Sequence, residues 1–273
     1  MKIIRILAAL ALAYLVAVTG VFVFQRSFLY FPNDTYVFPE TLDAKSPLKE
    51  FPVKTEDGLV LKGWYAPPKS QPISIVYFHG NADSLETVAP IAALYLADGY
   101  GFLIVEYRGY SKLPGLPTEK GLYADARAFV KKLIATGVKE KDIVFIGHSL
   151  GTGVAVQMAS EFHVKGLGLI APFMSISEMA RRRFPYLPAY YLALDRYENF
   201  KKIPSLHVPL FIAHGQKDMV IPFSDGKNLF ALGNEPKKFF YSPESGHNDL
   251  YAHGLYPFIL DWLRQLVSKD IAP

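Results

Sequence analysis

A glycine-flanked serine is the residue best placed to do chemistry in this chain. Residues 147–151 read Gly-His-Ser-Leu-Gly; they follow the β-rich run 142–146 and precede residues 152–159, which contain no helix breaker after Gly153. This pattern predicts a strand, a tight turn and a helix, with Ser149 on the turn. Small flanking residues relieve crowding in such a turn, and the helix amino terminus stabilises developing negative charge. We therefore predict that Ser149 is a nucleophile.

The proposed nucleophile needs a base, because a serine hydroxyl reacts poorly until an imidazole removes its proton. Among the seven histidines, His247 is the predicted base, since it lies in the turn-rich loop 242–249 after the last predicted strand and before the final helix. His148 is fixed beside the serine and cannot easily fold back to its hydroxyl. Three further histidines are interpreted as surface or core residues: His163, His207 and His253.

An acid must orient the imidazole, and it should lie just past a strand. Asp218 is the predicted acid, because it follows the β-rich run 211–213 and precedes the base in the chain. Asp225 and Asp249 remain alternatives, although either would also suit a helix amino terminus or a solvated loop. His214 is expected to buttress this loop rather than to react.

Acyl-transfer chemistry also needs two hydrogen-bond donors for the oxyanion of the transition state. The backbone N–H of Leu150, directly after the nucleophile, is the first predicted donor. The predicted strand 73–78 runs into the sequence His-Gly-Asn-Ala, so the backbone N–H of Asn81 is the predicted second donor.

The surrounding sequence alternates short β-rich runs with helix-like stretches, which predicts an α/β fold with a mostly parallel sheet and helices on both faces. An antiparallel start is predicted where two runs flank an Asp-Gly turn. The strands are predicted at residues 48–54, 59–65, 73–78, 102–107, 143–146, 166–170, 210–213 and 238–241. Helices are predicted over residues 84–98, 118–137 and 250–267, besides the one after the serine. Residues 33–273 should form one catalytic domain.

The amino terminus has the pattern of a membrane-spanning helix. Residues 6–24 are 19 consecutive uncharged residues, which as a helix span roughly 28 Å, close to the thickness of a hydrocarbon core. A cleaved signal peptide is the alternative, but the run is long and lacks a small-x-small cleavage site. The aromatic-rich residues 28–31 suit the membrane interface. We predict an anchor and juxtamembrane segment over residues 1–32, with the flanking charges favouring an exported catalytic domain.

Composition excludes several classes of function. The 29 basic and 25 acidic residues give a net charge of +4 without a basic stripe, so a nucleic-acid partner is not expected. The absence of cysteine excludes a thiolate metal site and a cysteine nucleophile. No metal-ligand spacing appears, and we predict no metal and no cofactor.

An ordered set of motifs resembles the α/β-hydrolase superfamily, and most closely its membrane-anchored serine-hydrolase branch, which includes enzymes that remove palmitate from proteins. The motifs occupy residues 79–82, 107–110, 121–126, 147–151, 214–218 and 246–249. The resemblance implies Ser149, Asp218 and His247 as the triad. This chain departs from the usual pattern at Asp83, where glycine is frequent, and at residues 111–114, which read Ser-Lys-Leu-Pro.

The expected reaction is cleavage of an ester or thioester, on an acyl or lipid-like small molecule, through an acyl-enzyme. The alternatives are a catalytically silent membrane-tethered scaffold and an acyltransferase that uses the same triad. A cap insertion is predicted at about residues 173–205, where residues 181–183 are three arginines beside an aromatic-aliphatic stretch. Arg108 is expected to pair with Asp125 or a loop carbonyl rather than to bind substrate.

Overall fold

A single eight-stranded sheet organises the computed structural model, which describes residues 1–42 and 46–268. The strands are β1 (Lys49–Lys54), β2 (Val60–Ala66), β3 (Ser74–Phe78), β4 (Gly101–Val105), β5 (Ile143–His148), β6 (Gly166–Ile170), β7 (Leu210–Gly215) and β8 (Lys237–Ser242). Their order across the sheet is β1-β2-β4-β3-β5-β6-β7-β8. The β1–β2 and β2–β4 pairs are antiparallel and all the others are parallel, so the predicted fold class is confirmed.

Helices cover both faces of the sheet. The helices of the domain are α2 (Pro39–Leu42), α3 (Leu85–Ala97), α4 (Glu119–Ala135), α5 (Leu150–Glu161), α6 (Ile176–Arg183), α7 (Ala189–Leu192), α8 (Asn199–Lys202), α9 (Phe223–Leu232) and α10 (Leu255–Ser268). One buried cluster joins α4, α5 and α9 to the sheet, and a second joins α3 and α10 to the opposite face. The sheet is therefore enclosed, as parallel strands with apolar residues on both faces require.

Two helices differ from the sequence prediction. The last helix begins at Leu255 rather than at residue 250, which places Pro257 in the first turn, where its missing N–H breaks no helical bond. Helix α9 was not predicted, because it has no side-chain cap and contains Gly226, a poor helix former.

The N-terminal helix α1 runs from Lys2 to Leu29, with a mean hydropathy of 2.5 in its most apolar window and no buried residue there. Its length and composition suit a membrane span. Its carboxyl end contacts the domain: Arg26 Nε lies 2.9 Å from Asp195 Oδ2. Tyr30 is buried in the core, with its hydroxyl 3.0 Å from that of Tyr197, so it does not belong to an aromatic belt.

The chain between β6 and β7 includes residues 173–205, for which a cap insertion is predicted. Helices α6, α7 and α8 and a 3-10 turn at Ile203–Ser205 follow one another there, with α6 packed against α7. Phe184 contacts Phe28 of α1, with ring centroids 6.2 Å apart, and the N–H of Leu194 donates to Gln25 Oε1. We call residues 173–205 the cap segment, and it forms one surface with the end of the N-terminal helix.

Candidate active site

Ser149 lies at the junction of β5 and α5, at the carboxyl edge of the parallel strands. Its backbone adopts φ 51° and ψ −116°, in a region that non-glycine residues rarely occupy. The turn tolerates no side chain on the flanking glycines: a Cβ on Gly147 would collide with the carbonyl of Gly151, and one on Gly151 with that of Phe78. A strained residue held this firmly points to function, because such strain costs about 1–3 kcal/mol.

His247 links the serine to a carboxylate. Its Nε2 lies 2.9 Å from Ser149 Oγ, and its Nδ1 lies 2.7 Å from Asp218 Oδ2. In this arrangement Nδ1–H donates to the carboxylate, so Nε2 is free to accept the serine proton. The structure therefore brings together the three residues that the sequence analysis selected.

Asp218 is fixed by hydrogen bonds to both of its oxygens. The backbone N–H groups of Val220 and Ile221 each donate to Oδ1 at 2.8 Å. His214 Nε2 donates to the carbonyl of Ile221 and lies 3.3 Å from Asp218 Oδ2, which is the buttressing position predicted for it. Burial alone would raise the pKa of Asp218, but hydrogen bonds from His214 and His247 hold it well below its ordinary value. The carboxyl is therefore ionised beside the imidazole.

The two alternative acids lie elsewhere. Asp225 is fully buried in the first turn of α9, and Arg182 Nη2 lies 2.8 Å from its Oδ1. Asp249 accepts the N–H of Gly246 at 2.8 Å and so stabilises the loop that carries the histidine. Neither carboxylate contacts His247 Nδ1.

The two predicted oxyanion donors have unpaired backbone N–H groups. Within residues 1–42 and 46–268, the N–H groups of Asn81 and Leu150 donate to no protein acceptor. The Asn81 side chain accepts hydrogen bonds from the N–H of Phe31, at 3.0 Å, and from the hydroxyl of Tyr110, at 2.7 Å. These bonds hold the loop after β3, so a substrate oxygen beside Ser149 would find both donors available.

Asp83, where the chain departs from the pattern of the superfamily that it resembles, supports this loop. Its Oδ2 accepts the N–H of Gly80 at 2.9 Å and lies 3.1 Å from His148 Nδ1. Burial would raise the pKa of Asp83, but contact with His148 outweighs it and lowers that pKa. The carboxylate thus connects the loop after β3 to His148, the residue before Ser149, a role that the sequence did not reveal.

A buried His79–Glu106 pair lies behind the same loop. His79 Nε2 is 2.7 Å from Glu106 Oε1, and Nδ1 is 2.7 Å from the carbonyl of Gly80. Both ring nitrogens face acceptors, so only the doubly protonated imidazole satisfies both. Burial would lower the pKa of His79, but the Glu106 carboxylate outweighs it and raises that pKa. Ser111 Oγ donates to the second Glu106 oxygen, and Ser111 N donates to the carbonyl of Asn33.

Arg108 has a structural role, as expected. It pairs with Asp125 through Nη2 and Nε, at 2.7 and 2.9 Å, and with Asp57 through Nη1 at 2.7 Å. The guanidinium therefore binds two carboxylates of the protein itself rather than a substrate. In the described residues, no group of three or more histidine or acidic side chains could hold a metal ion.

Comparisons with known proteins agree on one family. The Alpha/beta hydrolase family profile matches residues 75–266. An uncharacterized protein of Mycobacterium tuberculosis is 35% identical over 252 residues, covering 90% of this chain and 89% of its own. Human alpha/beta hydrolase domain-containing protein 17B is 30% identical over 203 residues, covering 72% of this chain and 67% of its own.

Solved structures show the same fold. An esterase of Pyrococcus furiosus superposes with a TM-score of 0.72 at 19% identity, covering 88% of this chain and 98% of its own. The esterase domain of a Rhodothermus marinus protein superposes with a TM-score of 0.62 at 21% identity, covering 80% and 98%. At these identities the likeness concerns the fold alone.

Proposed function

Because this chain belongs to the alpha/beta hydrolase family, we propose that it hydrolyses carboxylic esters or thioesters through an acyl-enzyme on Ser149. The observation that carries the proposal is the hydrogen-bonded row of Ser149 Oγ, His247 and Asp218, with spacings of 2.9 and 2.7 Å. A silent scaffold would have no need of this row or of a strained serine backbone. The esterases among the structural neighbours are consistent with the same chemistry.

The acylation step follows from the geometry. Ser149 Oγ attacks the carbonyl carbon while its proton passes to His247 Nε2, and the ionised Asp218 stabilises the resulting imidazolium. The N–H groups of Asn81 and Leu150 stabilise the tetrahedral oxyanion, and each such donor contributes about 3–4 kcal/mol to the transition state. The carbon–oxygen or carbon–sulfur bond then breaks, and the leaving group takes the proton from His247.

Deacylation reverses these roles with water as the nucleophile. His247 takes a proton from water, the oxygen of that water attacks the acyl carbon, and the acid product leaves as Ser149 regains its proton. The half-buried serine is accessible to both reactants.

We further propose that α1 anchors the enzyme in a membrane as an uncleaved helix, with the catalytic domain on the exported side. Hydrogen bonds between the helix end and the cap segment support an uncleaved helix, because cleavage near residue 25 would remove them, whereas the exported side is proposed from the flanking charges alone. Carbonate extraction should leave the protein in the membrane, and intact mass should include residues 1–32. A released protein without that segment would refute the anchor.

Ester hydrolysis by the purified full-length protein tests the reaction. We expect turnover of p-nitrophenyl esters by the wild type, and loss of it in Ser149→Ala and His247→Ala by about three to six orders of magnitude. Ser160→Ala is the matched control, since that serine lies at the exposed end of α5. Equal turnover by wild type and Ser149→Ala would overturn the proposal.

A further inference from the structure

A cavity of about 620 Å³ lies between the N-terminal helix and the cap segment. Val21 and Phe22 line it from the helix, Met179 and Leu187 from the cap segment, and Met219 from the loop of the candidate acid. Its size is that of a small-molecule site, and its walls are mostly hydrocarbon. None of these side chains belongs to the candidate triad, so the cavity is a separate feature of the molecule.

Three of the four polar side chains in the cavity wall pair within the protein; the fourth, Arg183, is exposed and has no partner among the described residues. Gln25 donates to a backbone carbonyl of the cap segment at 3.3 Å and accepts from a backbone N–H there at 2.8 Å. Asp195 pairs with Arg26, and Arg182 pairs with Asp225. Because these polar groups are paired, the surface that the cavity offers to a ligand is mainly apolar. Apart from Arg183, which is exposed to solvent, the cavity wall is therefore suited to a hydrocarbon chain.

The cavity adjoins the candidate active site from two directions. Met219 and Val220, which line it, directly follow Asp218 in the chain. On the helix side, Leu29 lines it two residues before Phe31, whose N–H donates to Asn81 in the loop after β3. The cavity wall thus includes the residues that follow Asp218 and the end of the helix whose exit segment holds Asn81.

We propose that this cavity binds the hydrocarbon chain of an acyl ester lipid, so that the anchor helix forms one wall of the substrate site. This rests on the ester hydrolysis proposed above. The helix residues that line the cavity run from Val18 to Leu29, roughly 16 Å of helix, and overlap the apolar run 6–24. The far end of the cavity therefore lies at the depth of the lipid hydrocarbon. A lipid tail can enter there without crossing water, and its ester then reaches Ser149.

Filling the cavity from either wall tests the proposal. Val21→Trp fills it from the helix and Ala180→Trp from the cap segment. The matched control is Val23→Trp, on an exposed face of the same helix that does not line the cavity. The measurement is the ratio of kcat/KM for p-nitrophenyl laurate to that for p-nitrophenyl acetate, with the full-length proteins in one detergent.

Burial of one methylene group strengthens binding roughly fourfold. A substitution that leaves two or more methylenes of the laurate chain unburied should therefore lower this ratio at least tenfold. We expect that loss in Val21→Trp and Ala180→Trp, and the wild-type ratio in Val23→Trp. An unchanged ratio in both cavity variants would overturn the inference while leaving the proposed function intact. Fluorophosphonate labelling of every variant shows that the site has folded.

A binding experiment separates the two proposals if no ester is hydrolysed. Ser149→Ala should bind anthroyloxy-labelled stearic acid, and adding Val21→Trp should weaken that binding at least tenfold. Weakened binding without any ester hydrolysis would overturn the proposed function and retain the hydrocarbon site. Equal binding with and without Val21→Trp would overturn the site.

Discussion

The backbone N–H of Phe31 donates a hydrogen bond of 3.0 Å to Oδ1 of Asn81. The donor lies two residues past the end of α1, and the acceptor belongs to the residue whose N–H is the proposed second oxyanion donor. The exit segment of the N-terminal helix is therefore part of the framework of the candidate site. Asn33 adds to it, because its Oδ1 accepts the backbone N–H of Ser111 at 3.0 Å.

Removing this one donor should slow catalysis. Phe31→Pro deletes the N–H, and Tyr30 before it is extended, at φ −110° and ψ 128°, which suits a residue preceding proline. We expect kcat for p-nitrophenyl acetate to fall about tenfold, because a small displacement of Asn81 misplaces its N–H. Phe31→Ala keeps the N–H and should retain wild-type kcat. Equal kcat values in the two variants would show that the bond does not position the loop.

The orienting acid can be identified by paired amide substitutions. Asp218→Asn should lower kcat by about 10⁴, because the amide no longer holds His247 in the reactive tautomer. Asp249→Asn should have a small effect, since Asp249 contacts Gly246 and His253 rather than the imidazole of His247. A mild Asp218→Asn beside a severe Asp249→Asn would reverse the assignment.

Two neighbouring arginines of the cap segment, Arg182 and Arg183, should differ in their effect on stability. Arg182→Gln leaves the fully buried Asp225 without its cation, and because the arginine is 38% exposed and screened by solvent we expect a cost of about 1–2 kcal/mol. Arg183 has no partner among the described residues, so Arg183→Gln should change Tm little. Thermal unfolding in detergent should therefore separate the two variants. The same Tm for both variants would contradict a stabilising pair between Arg182 and Asp225.

The His79–Glu106 pair predicts a pH-dependent contribution to stability. The folded-state pKa of His79 is raised above its unfolded value, so its stabilisation is complete below about pH 6.5 and is lost as pH rises through the folded pKa. Glu106→Gln should lower the free energy of unfolding by about 3 kcal/mol at pH 6. The difference from wild type should shrink at higher pH. A difference that grows with pH would show that His79 is neutral in the fold.

Local patterns predicted the parts of the structure that depend on neighbouring residues. The elbow at Ser149 and the hairpin of β1 and β2 follow from glycine spacing and strand periodicity, and the structure contains both. The loop positions of Asp218 and His247 follow from where strands end.

Contacts between segments that are distant in the sequence could not be predicted from local patterns. Phe31 and Asn81 are 50 residues apart, and Asn33 and Ser111 are 78 apart. The donor from Phe31 is a backbone N–H, which any residue except proline carries, so the sequence gives no signal for it. Tyr30 was assigned to the membrane interface because an aromatic residue after an apolar run suits either site, and only the packed fold places it in the core.

Covalent labelling of Ser149 tests the central claim most directly. A fluorophosphonate probe, applied to the full-length protein in detergent, should add one label, and peptide mass spectrometry should find it on Ser149. Ser149→Ala should take up no label, and His247→Ala should react far more slowly because the serine is no longer activated. Undiminished labelling of Ser149→Ala, or a label on another serine, would contradict a catalytic role for this residue.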